Sequence, residues 1–167
     1  ITETGIRPCA SPVGRIMAYA STKVKAISTI LSSEMQALGG DIRAVIITDF
    51  EKTSATTLVE GVMDDEAGGA VAAFRQAVQC DNVDLLNPIL MTGSTVLVDD
   101  DLAQEFLAAA NNWIEERSLA ITLVDEIRGD YHEIVGKGKD WIPRYYSLMI
   151  TEFFQLGITK CLIGTRG

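Results

Sequence analysis

The sequence predicts a layered α/β domain whose largely parallel sheet is flanked by helices. Three observations predict it. Short apolar runs recur as strand candidates, stretches of helical period lie between them, and glycine, proline or acidic residues mark most junctions. With 167 residues, 47% of them hydrophobic, the chain is long enough for one well-filled core and short for two. A single domain over residues 21–167 is expected, with residues 1–20 as its N-terminal lead-in.

"STKVKAISTILSSEMQALGG" opens the pattern. Ser21 suits an N-cap, Val24, Ile27, Leu31, Met35 and Leu38 fall three or four residues apart, and Gly39 and Gly40 end the helix. "RAVIITDF" follows as a continuous apolar run ending on Asp49, as expected of a strand covered on both faces. In "DDEAGGAVAAFRQAVQC" a second helix starts near Asp64 and Asp65 and shows one face through Val71, Phe74 and Val78. "NPILMTGSTVLVDD" reads as two short extended pieces broken at Gly93. Leu102, Phe106, Ala110 and Trp113 then repeat at helical spacing. "LAITLVDEIRGDYHEIVG" holds two short runs flanking a turn, an antiparallel pair at a sheet edge. Pro143 starts a last helix with a face through Tyr146, Met149, Phe153 and Leu156, Gly157 stops it, and "ITKCLIGT" is the final strand.

Composition excludes several classes. No apolar stretch approaches a membrane span, and the N-terminus lacks a basic-then-apolar leader, so a soluble, cytoplasmic (intracellular) protein with no membrane partner is expected. The formal net charge of -9 argues against a free-standing nucleic-acid binder, though not against one strand-contacting edge on an acidic domain. Cys9, Cys80 and Cys161 are an odd set without CxxC spacing, which reads as reduced, small hydrophobes. Neither GxxxxGK[ST] nor GxGxxG is present, so the chain alone has no nucleotide cradle. The acidic groups Asp64, Asp65, Glu66 and Asp99, Asp100, Asp101 sit where helices begin, and capping of free N–H groups is expected in place of metal ligation. His132 is the sole histidine and reads as structural, and the Arg128 to Asp130 stretch reads as a turn.

In open α/β sheets ligands meet the loops at the carboxyl ends of strands, here "DFEKTS", "TGST" and "GTRG". Thr92 with Gly93, and Thr165 with Gly164, each pair a hydroxyl with a residue that admits close approach of a phosphate.

In their order these pieces resemble the second, C-terminal RecA-like domain of superfamily-two helicases and translocases, from about Ser21 to Gly167. "STKVKAISTIL" looks like that domain's entry helix, "RAVIITDFEKTSA" is similar to motif IV, and "PILMTGST" falls at a strand whose loop touches nucleic-acid backbone. "ITEFFQLGITKCLIGTRG" resembles the helix and strand of motif V. The resemblance implies a RecA-like three-layer fold. It places Gly164, Thr165 and Arg166 at the cleft between two RecA-like domains, near nucleic acid and nucleotide. It also implies that Thr92 and Gly93 contact strand phosphates, while Asp49 and Phe50 position the loop or a base. ATP and Mg²⁺ would belong to the full-length motor, none being bound by this stretch alone, and the partners would be DNA or RNA and the preceding RecA-like domain.

The family's phosphate loop, acidic metal motif and arginine-rich motif are absent from these 167 residues. The chain starts "ITETG" without an initiator methionine and stops on a strand-turn, as expected of a piece of something longer, inactive by itself. The stretch from about Ser94 to Arg144 is longer than a minimal domain of this kind needs. The competing class is a stand-alone α/β binding or regulatory module for a small phosphorylated ligand or a protein partner.

Overall fold

The computed structural model describes residues 21–48 and 69–165. Helix α1 (Ser21–Leu38) leads through a 3-10 turn (Gly39–Asp41) into strand β1 (Ala44–Thr48). Helix α2 (Ala70–Val78), a second 3-10 turn (Val83–Leu85) and strands β2 (Ile89–Met91) and β3 (Val96–Asp99) follow. Helix α3 (Ala103–Glu116), strands β4 (Thr122–Ile127) and β5 (Tyr131–Lys137), helix α4 (Pro143–Leu156) and strand β6 (Cys161–Thr165) complete the fold.

These elements form an α/β architecture on one six-stranded sheet, ordered β1-β6-β2-β3-β5-β4. The expected largely parallel sheet is corrected to a mixed one. β6 is parallel to both β1 and β2, whereas β2 with β3, β3 with β5, and β4 with β5 are antiparallel. The physical reason lies in the connections: the chain returns from β2 to β3 through Thr92 to Thr95 and from β4 to β5 through Arg128 to Asp130. Links that short can only make hairpins, because a parallel neighbour needs a crossover of a dozen residues or more. The β4–β5 pair is the antiparallel edge expected from its sequence, and Gly93 does separate two short strands.

Side-chain alternation along the strands sorts the core into two layers. Leu90, Leu97, Cys161 and Ile163 meet α1 and α2 through Leu31, Met35, Phe74 and Val78. Ile89, Val96, Val98 and Ile134 meet α3 and α4 through Phe106, Trp113, Met149 and Phe153. Full burial of side chains such as Phe74 and Phe106 contributes roughly 1.5–3 kcal/mol each.

Most expected helix faces are the buried ones, but Leu38 and Leu156, each at the last position of its helix, are 50% and 75% exposed. Gly157 stops α4 as expected, at φ 83°. Strand β1 departs from its reading. Among the described residues it is an edge strand, and one of its faces is uncovered, with Val45 and Ile47 exposed.

The capping expectation is corrected for the run Asp99 to Asp101. The N-cap of α3 is Leu102, without a side-chain capping bond, because Asp99 still belongs to β3. The N-cap of α2 is Gly69, and Asp64, Asp65 and Glu66 lie outside the described residues. Cys80 and Cys161 are buried free thiols, as read from the sequence, and burial pushes the Cys161 thiol up to about 12. Cys9 falls outside the described residues. No described helix is long and apolar enough to cross a membrane.

Candidate functional site at the carboxyl edge of the sheet

Strand β6 runs between β1 and β2, and the chain delivers it there by a short, fully bonded approach. Gly157 N–H donates to the Phe154 carbonyl, Lys160 N–H to Leu86, and Ala44 N–H to Lys160, so the strand enters already flanked on both sides. The Thr159 hydroxyl, fully buried, accepts from Cys161 N–H at 3.3 Å and fixes the first turn of the strand. Cys161 and Ile163 then point into the core beside α1 and α2, which directs Gly164 to the opposite face.

Three strand ends gather at the carboxyl edge. Thr165 is in register with Thr48, and Gly164 lies between Ile47 of β1 and Met91 of β2. The Thr48 hydroxyl donates to the Gly164 carbonyl at 3.5 Å. Gly164 is favoured by close approach, since a Cβ there would sit 3.2 Å from the Met91 carbonyl oxygen, and that sheet-bound oxygen would have to give by a few tenths of an ångström.

Beside Met91 the chain turns through Thr92 to Thr95. Thr92 N–H donates to the Thr95 carbonyl at 2.9 Å, and the Thr92 hydroxyl accepts from Thr95 N–H at 3.0 Å and Ser94 N–H at 3.3 Å. The Thr92 carbonyl accepts from the Tyr146 hydroxyl at 3.0 Å, which ties the turn to α4. Thr92 is therefore buried and shapes the turn from inside, while Gly93 and Ser94 are exposed at its tip.

The two hydroxyl-glycine loops singled out by sequence do stand on neighbouring parallel strand ends. Asp49, Phe50 and Arg166 lie outside the described residues, each within two positions of Thr48 or Thr165. Thr48 and Tyr146 were not singled out by the sequence reading. Thr48 had one available signal, its position as the last hydroxyl before the "DFEKTS" loop, whereas the Tyr146 bond joins residues 54 positions apart. Chemically, the edge offers neutral hydroxyl and backbone groups. That set suits an anionic backbone held by hydrogen bonds more than an acid–base reaction.

Two other features were weighed as sites. A groove of about 480 Å³ between α1 and β1 is lined by Ile27, Ile30, Leu31, Leu38, Val45 and Ile47 among others, with Glu34 and Arg43 at its polar margin. His132 sits on β5 with Nδ1 2.7 Å from Asp125 Oδ1 across the β4–β5 pair, a local side-chain tie consistent with its structural reading. Compared with protein-family models, curated proteins and solved structures, the chain matches none.

Proposed function

We propose that this domain is the second, C-terminal RecA-like domain of a superfamily-two helicase or translocase, and that its carboxyl sheet edge contacts one nucleic-acid strand. One observation supports the reading above the others: Gly164 and Thr165 stand on the strand between the ones ending at Thr48 and Met91. The motif-V-like, motif-IV-like and "TGST" segments, far apart in sequence, thus meet at one edge. The four strands β1, β2, β5 and β6 also run in one direction, although only three of them are adjacent.

In this mechanism a preceding RecA-like domain holds ATP and Mg²⁺, since this chain has no phosphate loop of its own. Nucleotide draws that domain toward Gly164, Thr165 and Arg166. The tip at Gly93 and Ser94 supplies backbone contacts to the strand, Thr92 holds the tip in shape, and the role of Asp49 and Phe50 is to position the loop or a base. Opening after hydrolysis lets the contacts advance along the strand.

The test is nucleic-acid-stimulated ATP hydrolysis by a protein in which this domain follows its phosphate-loop domain. Thr165→Val is expected to lower the stimulation at least about tenfold, the size of losing one well-placed transition-state contact. Unchanged stimulation removes Thr165 from the mechanism. A folded two-domain protein with no stimulated hydrolysis overturns the motor reading, and thermal stabilisation by a small phosphorylated metabolite but not by oligonucleotide would favour the binding-module class.

A further inference from the structure

The edge of the sheet opposite Gly164 and Thr165 has a different chemistry. Strand β3 is antiparallel to β2, so its last residue, Asp99, lies where β2 begins, with Asp99 N–H donating to the Pro88 carbonyl at 3.2 Å. Leu97 on the same strand faces α1 and α2, and by alternation Asp99 faces that way too, beside its cross-strand partner Tyr131. The Asp99 side chain is 0% exposed, and neither carboxylate oxygen has a hydrogen-bond partner.

Burying a carboxylate without a partner is costly, and proteins rarely tolerate it unless a counter-charge is near. Among the described residues, no ion pair involves Asp99, Asp100, Asp101, Asp84 or Asp130. Instead, the surroundings add negative charge. Asp99 feels the charges of Asp100, Asp101, Asp84 and Asp130, and Asp101 feels those of Asp100 and Asp84. A proton on Asp99 would lower the charge but leave its new O–H without an acceptor. A cation would satisfy both oxygens.

We infer that Asp99, Asp100 and Asp101 form a binding site for a hard divalent cation of calcium size, with Asp99 as its buried anchor. One carboxylate oxygen from each of the three lies within 4.8 Å of the others. Two oxygens bonded to one Ca²⁺ at roughly 2.3–2.6 Å stand at most about 5 Å apart, so the spacing of the three is close to what a single ion requires and a small closing of the side chains completes it. Mg²⁺, bonded at roughly 2.0–2.1 Å, holds its ligand oxygens within about 4 Å of one another and demands a tighter, more regular set. An all-oxygen donor set, without histidine or cysteine, disfavours zinc and copper. Asp100 and Asp101 are exposed, which leaves the outer side of the ion to water. The ion would clasp the end of β3 to the start of α3, where no side-chain cap is made.

The site stands whether or not the domain serves a motor, and its test needs only this chain. Protein stripped with EDTA is titrated calorimetrically with CaCl₂, in parallel with MgCl₂ and with NaCl at matched ionic strength, and thermal unfolding is followed in each. One saturable calcium site and a rise in Tm are expected. Asp101→Asn, an exposed change that keeps the circular-dichroism spectrum, is expected to weaken binding at least about tenfold, no less than the loss of an outer-shell partner. Asp99→Asn is expected to abolish it. No saturable binding, equal affinity in both variants, or a Tm rise reproduced by NaCl would overturn the site. Saturation by Mg²⁺ but not Ca²⁺ would overturn the calcium assignment.

Discussion

Asp99 shows how far one residue departs from what its type leads one to expect. Without a divalent cation, burial first and then Asp100, Asp101, Asp84 and Asp130 push its carboxyl up to about 7. Its unfolded value is near the ordinary aspartate figure of about 3.9, so the folded protein favours the protonated form. The contribution is therefore fully present below about pH 4 and is lost as pH rises through about 7. A shift of this size corresponds to at most ~4 kcal/mol. In EDTA, the unfolding midpoint of the wild type is expected to fall between about pH 4 and pH 7, and Asp99→Asn should flatten that fall. A pH profile with the same slope in both proteins would show that Asp99 titrates as an ordinary surface carboxylate. The acidic run itself was plain in the sequence. What the run could not reveal was the register, since one residue decides whether Asp99 caps a helix in water or ends a strand inside the core.

At the scale of elements, periodicity located the four helices of the described residues and most of their buried faces, because a 3.6-residue repeat is set by local geometry. It failed at Leu38 and Leu156 for a physical reason: a helix can continue its apolar pattern past the end of the sheet it covers. It failed at β1 for another. "AVIIT" is apolar at every position before Thr48, yet coverage depends on what packs on each face of the sheet, and the face carrying Val45 and Ile47 is exposed. The tie between α3 and α4 was likewise invisible. Trp113 Nε1–H donates to Glu152 at 2.7 Å, Arg117 donates to both Glu152 oxygens at 2.9 and 3.2 Å, and the Arg117 guanidinium lies 4.1 Å from the Trp113 ring centre. Trp113 is only 5% exposed, so its N–H depends on that one carboxylate. Glu152→Ala is expected to lower unfolding stability by ~1–3 kcal/mol, the cost of a nearly buried donor left without its acceptor. Urea denaturation measures it, and a loss below about 0.5 kcal/mol would place the pair among ordinary surface contacts.

At the scale of the whole molecule, the fold class was legible while the strand order was not. Alternating runs of period 2 and period 3.6 announce an α/β domain, but nothing local says that β6, last in sequence, inserts between β1 and β2. The antiparallel part was partly readable, since the four residues from Thr92 to Thr95 are too few for a crossover. That same order brings Thr92, Gly93, Gly164 and Thr165 to one edge and the carboxylates of Asp99, Asp100 and Asp101 to the other.

The separation bears on how an acidic domain meets nucleic acid. Against a net charge of -9, the described part of the proposed contact edge offers hydroxyls and backbone N–H groups, and the neighbouring residues that the resemblance assigns to it add one cation, Arg166, and one anion, Asp49. Only cations release counterions from a phosphate backbone, and a single strand loses affinity with a log–log slope of about -0.7 per neutralised phosphate. One arginine then predicts only about a threefold loss of affinity between roughly 50 and 200 mM salt. Salt also screens the repulsion between the acidic body and the strand, which makes the fall shallower still. Fluorescence anisotropy with a single-stranded oligonucleotide across that range tests the idea. A loss of about a hundredfold or more would require several lysine or arginine contacts, and the edge built on Thr92, Gly93, Gly164 and Thr165 would then be the wrong surface.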